Sequence, residues 1–292
     1  MHPILSICIP THGVVDFVIP AVKSIYAQNC SLSDFEVVIS DNGSSDDLKI
    51  ALEQESYPNL LYQKVDASGF MNEVNSTKNA KGAFVKIMNH KSMLLPGVLQ
   101  QMIDFVKANM EKKPMLFFSN GHVGKEQIIN CPDFQSFMRK VSFWSSWEEG
   151  LGFWQEEKER LADIPYNEMV PTSSVLFYLR DESEYVIFNT PISTQKNMKR
   201  KRMYDFFEVF AIQYNDYYNK LRMEKKISTD TFNFLRYDMY RRYLISYYYQ
   251  IVVAKTDDSI PLPHIKEQMS VYYTKWHYWW MVFYANTVMR IR

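Results

Sequence analysis

Short apolar runs alternate with segments of helical periodicity along the first part of the chain. Residues 5–9 (LSICI) lie between Pro3 and Pro10 and read as a strand buried on both faces. Thr11-His12-Gly13 follows as a turn, and Val18, Ala21, Val22 and Ile25 then mark one helix face. Asp16 is placed to cap that helix, with Pro20 in its first turn. Residues 35–39 predict a second strand running into Ser40-Asp41-Asn42-Gly43-Ser44-Ser45-Asp46. A helix through Leu52 and a third strand over 60–65 come next. A polar helix over 73–80 closes at Gly82, and a fourth strand covers 83–88. Val98, Leu99, Met102, Ile103 and Val106 repeat at helical spacing before a strand at 115–118. This alternation predicts an α/β fold around a mostly parallel sheet.

The rhythm changes beyond about residue 120. Residues 146–185 hold ten acidic and three basic side chains, whereas 193–226 hold nine basic and four acidic ones. Residues 174–179 and 185–188 read as strands between these regions. From Arg202 the pattern is helical, with Phe206, Phe210, Tyr214, Tyr217 and Leu221 on one face and a second helical stretch over 231–253. Asp257-Asp258-Ser259 and Pro261 then precede a final aromatic segment. The expected organisation is 1–120, 121–195 and a helical, aromatic-rich extension at 196–292.

Composition narrows the function classes. The 292 residues carry 33 basic and 33 acidic side chains, so the excess positive charge of a nucleic-acid binder is missing. Cys8, Cys30 and Cys131 are too widely spaced to suggest a disulfide framework or a metal site, and Cys8 reads as a small core residue. The opening MHPILSICIP enters a strand pattern rather than a signal peptide. No stretch approaches the ~20 apolar residues that cross a bilayer. The expected location is cytoplasmic, with peripheral contact on the inner membrane face as an option.

Candidate chemistry gathers at predicted strand ends. In an open α/β sheet, ligands bind beyond the carboxyl ends of the strands. Pro10-Thr11-His12, Asp41-Asn42 and Asn89-His90-Lys91 each follow a strand and would share one rim. Asp41 can accept an N–H from a base or a ribose hydroxyl, or it can simply hold a turn. GxGxxG after the first strand and GxxxxGK[ST] are both absent, which disfavours dinucleotide and P-loop sites.

Ser6-Ile-Cys-Ile-Pro-Thr-His-Gly13, Glu36-Val-Val-Ile-Ser-Asp-Asn-Gly-Ser-Ser-Asp46 and the stretch 75–91 resemble, in order and spacing, three motifs of the family 2 glycosyltransferases. The resemblance covers about residues 4–120. It implies a GT-A fold with a Rossmann-like sheet, and inverting transfer of a sugar from a nucleotide donor, most often UDP. On that basis 1–120 is the nucleotide-sugar-binding half and 121–195 the acceptor side. Pro10, Thr11, His12, Asp41, Asn42, Asn89 and His90 become donor-site candidates. Related enzymes place an Asp-x-Asp cluster holding Mn²⁺ or Mg²⁺ where this chain has Asn89-His90-Lys91, a stretch without a carboxylate. Lys91, with His90, is therefore expected to replace part of the metal's charge against the departing diphosphate.

Inverting transfer also needs a general base. Glu148 and Glu149 are the candidates, with Asp133 and Asp163 as alternatives. Trp144, Trp147 and Trp154 (with Phe153) could form an acceptor wall, or pack a core. The implied acceptor is a saccharide or lipid-linked saccharide. Two other readings are a nucleotide- or sugar-binding homologue without activity and a nucleotidyltransferase. The basic run at 196–202 offers an anion site or a solvated helix start. The aromatic segment at 272–284 is a candidate for peripheral membrane contact, self-association or packing on the catalytic domain.

Overall fold

A computed structural model describes residues 2–179, 184–195, 204–256 and 264–291. The basic run at 196–202 and the turn at 257–261 lie outside these residues. The chain divides into two compact units, Met1–Lys196 and Asn197–Arg292.

The first unit is built on a five-stranded sheet ordered β3-β2-β1-β4-β8, from β1 (Leu5–Thr11), β2 (Phe35–Asp41), β3 (Leu60–Lys64), β4 (Phe84–Ile87) and β8 (Gly152–Trp154). All pairings are parallel except β4 with β8. Helices α1 (Val15–Tyr26), α2 (Asp47–Glu55), α3 (Asn72–Asn75), α4 (Val98–Asn109), α5 (Phe134–Val141) and α6 (Pro171–Tyr178) complete it. Two smaller sheets join them. The antiparallel β5 (Ser92–Leu94) pairs with β10 (Ser193–Gln195), while β9 (Tyr185–Phe188) lies between β6 (Met115–Phe118) and β7 (Ile128–Cys131).

The core follows from the apolar pattern. Leu5, Ile7, Cys8 and Ile9 of β1 are fully buried because strands lie on both sides and helices pack above and below. Burial raises the Cys8 thiol pKa, so it is inert packing. Val18, Ala21, Val22 and Ile25 form the buried face of α1 as expected.

Several local expectations need correction. Val14 holds the N-cap position of α1, with Asp16 in its first turn and Pro20 inside the helix. The expected helix over 73–80 is only the single turn α3, flanked by turns. Residues 174–178 belong to helix α6, with Leu179 at its C-cap, rather than to a strand. Pro171 opens that helix, and it is buried nearly all round, so its apolar run carries no helical period.

Among the described residues the elements of the second unit are all helices: α7 (Tyr214–Met223), α8 (Thr229–Asp238), α9 (Ile245–Tyr248), α10 (Ile265–Tyr272), α11 (Lys275–Asn286) and α12 (Val288–Ile291). π-helical stretches at Glu208–Gln213, Met239–Leu244 and Tyr249–Val253 extend α7, α8 and α9. Phe206, Phe210, Tyr214 and Leu221 are buried as predicted, but Tyr218 replaces Tyr217 on that face. Within α7 the buried Tyr214, Tyr218 and Leu221 follow i, i+4 and i+7 spacing, which selects Tyr218 over Tyr217 for the covered face.

Candidate active site

The chain runs outward from β1 to β2 and β3, then returns to place β4 on the other side of β1. The crevice beyond the ends of β1 and β4 is therefore the topological switch point, where α/β sheets bind ligands. Register brings Thr11, Asp41 and Lys64 level at the ends of β1, β2 and β3. Across the crevice, Thr11 Oγ1 and His90 Nδ1 share a hydrogen bond of 2.9 Å. The exposed His12 ring lies 5.5 Å from that of His90.

Asp41 is fully buried. Its Oδ1 accepts from Gly43 N at 2.7 Å, and its Oδ2 accepts from Tyr62 Oη at 2.7 Å and Lys64 Nζ at 3.3 Å. The carboxylate therefore holds the turn that shapes the rim. Gly43 is required there, because a Cβ would lie 2.3 Å from the His12 carbonyl oxygen. Asn42 donates from Nδ2 to the Ala67 carbonyl at 2.7 Å. Asn72, which sequence reading did not single out, donates from Nδ2 to both Thr11 O and Ser40 O and accepts from Ser40 Oγ. It locks the ends of β1 and β2 together; its only sequence signal was membership of an Asn-rich stretch.

Tertiary structure brings Glu148 and Glu149 to the Asn89-His90-Lys91 turn. Asn89 donates its backbone N–H to Glu149 Oε1 at 2.8 Å and its side-chain amide to Glu148 Oε1 at 2.5 Å. Glu149 is buried, and its Oε2 accepts from Ser193 Oγ at 3.2 Å. Burial raises its pKa, against the lowering effect of Lys86. Glu148 is half-buried. Gly150 permits this approach, since a Cβ would lie 2.2 Å from the Phe117 ring.

Lys86 is a second residue that the sequence did not reveal. It is buried in β4, and its Nζ donates to the Glu149 carbonyl at 2.5 Å and the Ile87 carbonyl at 3.0 Å. Desolvation lowers its pKa to about 8, while Glu149 and Glu148 pull it back up. Glu73 is a third. Burial, then the charge of Glu148, holds its pKa well above the usual carboxylate range. Its Oε2 is buried with no hydrogen-bond partner among the described residues.

His90 does not supply the expected positive charge. Burial, then Lys91 and His12, lowers its pKa to about 3, so the ring is neutral and serves as a strut to Thr11. Lys91 remains the cation of this turn: its backbone N–H is anchored by Asn89 Oδ1 at 2.9 Å, and its Nζ sits 5.2 Å over the Phe17 ring.

The aromatic candidates separate. Trp154 is a core residue, with Nε1 bonded to the Pro114 carbonyl at 2.7 Å and its ring edge-on to Phe84, and Phe153 is buried beside it. Neither can form an acceptor wall. Trp144 and Trp147 are half-buried next to Glu148 in the chain, and exposed His122 stacks on Trp144 at 4.1 Å. A lone His gave no sequence cue for that stack. Asp133 caps α5 by accepting from Ser136 N, and Asp163 is exposed at the end of a 3-10 helix.

The donors around Asn89 do not fit a hard divalent cation, which wants several oxygen ligands. Asn89 Oδ1 is held by Lys91 N, His90 Nδ1 by Thr11, and the Glu149 oxygens by Asn89 and Ser193. Of the two glutamates bonded to Asn89, Glu149 has both oxygens engaged, and the turn itself carries an ammonium, Lys91, and no carboxylate. Among the described residues no group of three His, Cys, Asp or Glu side chains is arranged to hold a metal.

Residues 6–112 match the model described as Glycosyl transferase family 2. The GalNAc(5)-diNAcBac-PP-undecaprenol beta-1,3-glucosyltransferase of Campylobacter jejuni is 28% identical over 167 residues, 51% of this chain and 53% of that protein. The chain thus spans about half the length of this curated relative. Among solved structures, S. aureus TarS in complex with UDP-GlcNAc superposes with a TM-score of 0.60 at 14% identity, covering 98% of this chain and 91% of that one. The mannosyltransferase PcManGT from Pyrobaculum calidifontis, in complex with GDP-Man and Mn²⁺, gives 0.57 at 15% identity, covering 99% and 86%. Such identities establish the GT-A-like fold, and the expected α/β class with it. The segment that matches the family 2 glycosyltransferases, residues 6–112, is the one that carries the switch-point crevice, so the likeness to that family lies where the candidate site is built.

Proposed function

We propose that this chain transfers a sugar, with inversion, from a nucleotide donor to a hydroxyl of a saccharide or lipid-linked saccharide. The observation that carries this reading is the meeting of Glu148 and Glu149 with the Asn89 turn at the switch-point crevice. The lipid-linked acceptor takes support from the relative's name, and the nucleotide donor from the UDP, UDP-GlcNAc and GDP-Man bound by structural neighbours.

Asn42 and His12 carry the base contact in this proposal. Asn42 Nδ2 is committed to Ala67, which leaves its Oδ1 to accept the N3–H of a uracil. The exposed His12 ring offers a flat face, and Asp41 supports both residues through the Gly43 turn. Pro10 and Thr11 set the floor at the end of β1. UDP is therefore the preferred donor.

Glu148 is the general base, because Glu149 has both oxygens engaged in buried hydrogen bonds. Glu148 takes the proton of the acceptor hydroxyl as that oxygen attacks the anomeric carbon. The bond from that carbon to the nucleoside diphosphate breaks on the opposite face, and the diphosphate leaves with the electron pair. Lys91 stabilises the growing charge on the leaving phosphate. Trp144, Trp147 and His122 provide apolar faces for the acceptor sugar.

A panel of nucleotide sugars, followed by calorimetry and by release of nucleoside diphosphate, tests the reading. UDP-sugar binding with turnover on an added saccharide acceptor is expected. Binding of no nucleotide sugar overturns it; binding without turnover supports an inactive homologue, and pyrophosphate release a nucleotidyltransferase. Trp144→Ala should raise the acceptor KM while leaving donor affinity intact.

A further inference from the structure

Helix α11 carries a large apolar stripe that its own unit leaves uncovered. Trp276, Trp279, Trp280 and Phe283 recur at helical spacing, and each exposes more than half of its surface, Trp276 as much as 72%. Met281 and Ala285 on another face of the same helix are fully buried, so α11 is anchored with the aromatic stripe facing outward. Exposed apolar groups clustered in this way mark an interaction surface rather than ordinary surface scatter.

The charges beside the stripe identify what covers it. Residues 275–292 contain Lys275, Arg290 and Arg292 and no Asp or Glu. Lys275 Nζ lies 5.7 Å over the Trp276 ring, and Lys266 Nζ of α10 lies 5.8 Å over Trp279. The two ammonium groups thus lie against indole faces of the stripe and bring positive charge to its edge. A second copy of this chain is a poor occupant. Antiparallel pairing would set Lys275 against the partner's Arg290, and parallel pairing would set each cation near its own counterpart, with no carboxylate from either segment to compensate. A surface that is apolar inside and negatively charged at its rim complements all of these groups. Indole, with an apolar body and one N–H donor, suits the boundary between headgroups and acyl chains.

We propose that α11 docks this protein on an anionic lipid bilayer, lying in the plane of the interface with Trp276, Trp279, Trp280 and Phe283 among the upper acyl chains and Lys266, Lys275 and Arg290 at the phosphates. The helix has 12 residues, about 18 Å at 1.5 Å per residue, too short to cross the ~30 Å hydrocarbon core. Among the described residues no helix is long and apolar enough to span a membrane. The proposal rests on the surface alone and not on the transferase reading.

The test is sedimentation of the full chain with phosphatidylcholine vesicles containing phosphatidylglycerol, against phosphatidylcholine alone, without donor or acceptor. Binding to the anionic vesicles is expected, weakening with salt, with quenching of tryptophan fluorescence by acyl-chain-labelled lipid. The W276S/W280S double variant, checked by circular dichroism, should lose at least tenfold in vesicle affinity. The K275E/R290E variant should lose about fivefold for each cation removed, and more for the reversal of sign. Turnover with a soluble acceptor should be unchanged in both. No binding to anionic vesicles, or equal binding by the double Trp variant, overturns the proposal. So does a stable dimer that disappears with the Trp substitutions and leaves no vesicle binding, which would assign the stripe to a second copy. Loss of transferase activity in the unaltered protein would leave the vesicle result standing, so the two readings fail separately.

Discussion

Neighbouring glutamates of one chemical type are given different tasks by their surroundings. Glu149 is desolvated and clamped between Asn89 N–H and Ser193, whereas Glu148 keeps partial access to water. Glu148→Gln is expected to lower kcat by about 10²–10⁴-fold, the usual worth of a general base, with donor affinity retained. Glu149→Gln should instead cost about 1–3 kcal/mol of stability in urea, because a buried acceptor site is lost. A reversed pattern, with kcat collapsing only in the Glu149 variant, would falsify the assignment of the base.

His90 makes a prediction about pH at the same scale. Its ordinary pKa is 6.5, and in the fold it is lowered to about 3. Between these values the unfolded chain holds a proton on His90 that the folded chain does not, so its contribution to stability is lost as pH falls below about 6.5. The buried acids Glu73 and Glu149 have raised values and act in the opposite sense. Comparison with His90→Asn isolates the histidine. The unfolding free energy of the native protein, measured in urea, should fall more steeply than that of the variant on acidification from pH 6.5, by up to about 1.4 kcal/mol per pH unit. Parallel curves would remove the neutral strut.

At the scale of elements, the site depends on how β4 and the Glu148–Gly150 segment are joined. Lys86 projects from β4 to the Glu149 carbonyl, while Asn89, just beyond the same strand, reaches both glutamates. Lys86→Met preserves the apolar stem but leaves a buried carboxylate without its nearby cation. We expect a loss of about 3 kcal/mol in urea unfolding. The turn after β2 offers a separate check. Gly43→Ala forces a Cβ against the His12 carbonyl, so nucleotide affinity should fall even though no ligand-contacting side chain has changed. Unaltered affinity would show that the turn does not shape the donor site.

At the scale of the whole molecule, the first unit joins a segment similar to the family 2 glycosyltransferases to a turn whose charge comes from Lys91. In the proposed mechanism Lys91 and the neutral His90 strut stand where related enzymes hold a cation with carboxylates. Turnover is therefore expected to persist in EDTA and to gain less than about twofold from Mn²⁺. Abolition by EDTA with recovery on adding Mn²⁺ would overturn this. The second unit has a separate logic: it buries an aromatic stripe that includes Tyr214 and Tyr218, and α11 exposes the surface described above.

Local pattern was enough to place β1, β2, β3, β4 and the helix faces of α1 and α4, because burial on one or both sides imposes a period that a single segment displays. It also placed Thr11, Asp41 and Asn89 at strand ends, since a parallel sheet aligns those ends on one rim. Helix α6 escaped the same reading because burial all round erases the period. The pairing of Glu148 and Glu149 with Asn89, some sixty positions earlier, the neutral state of His90 and the burial of Trp154 could not be read in that way. Each depends on desolvation and on partners distant in sequence, and only the packing of β8 and the Glu148–Gly150 segment against β4 brings those partners together.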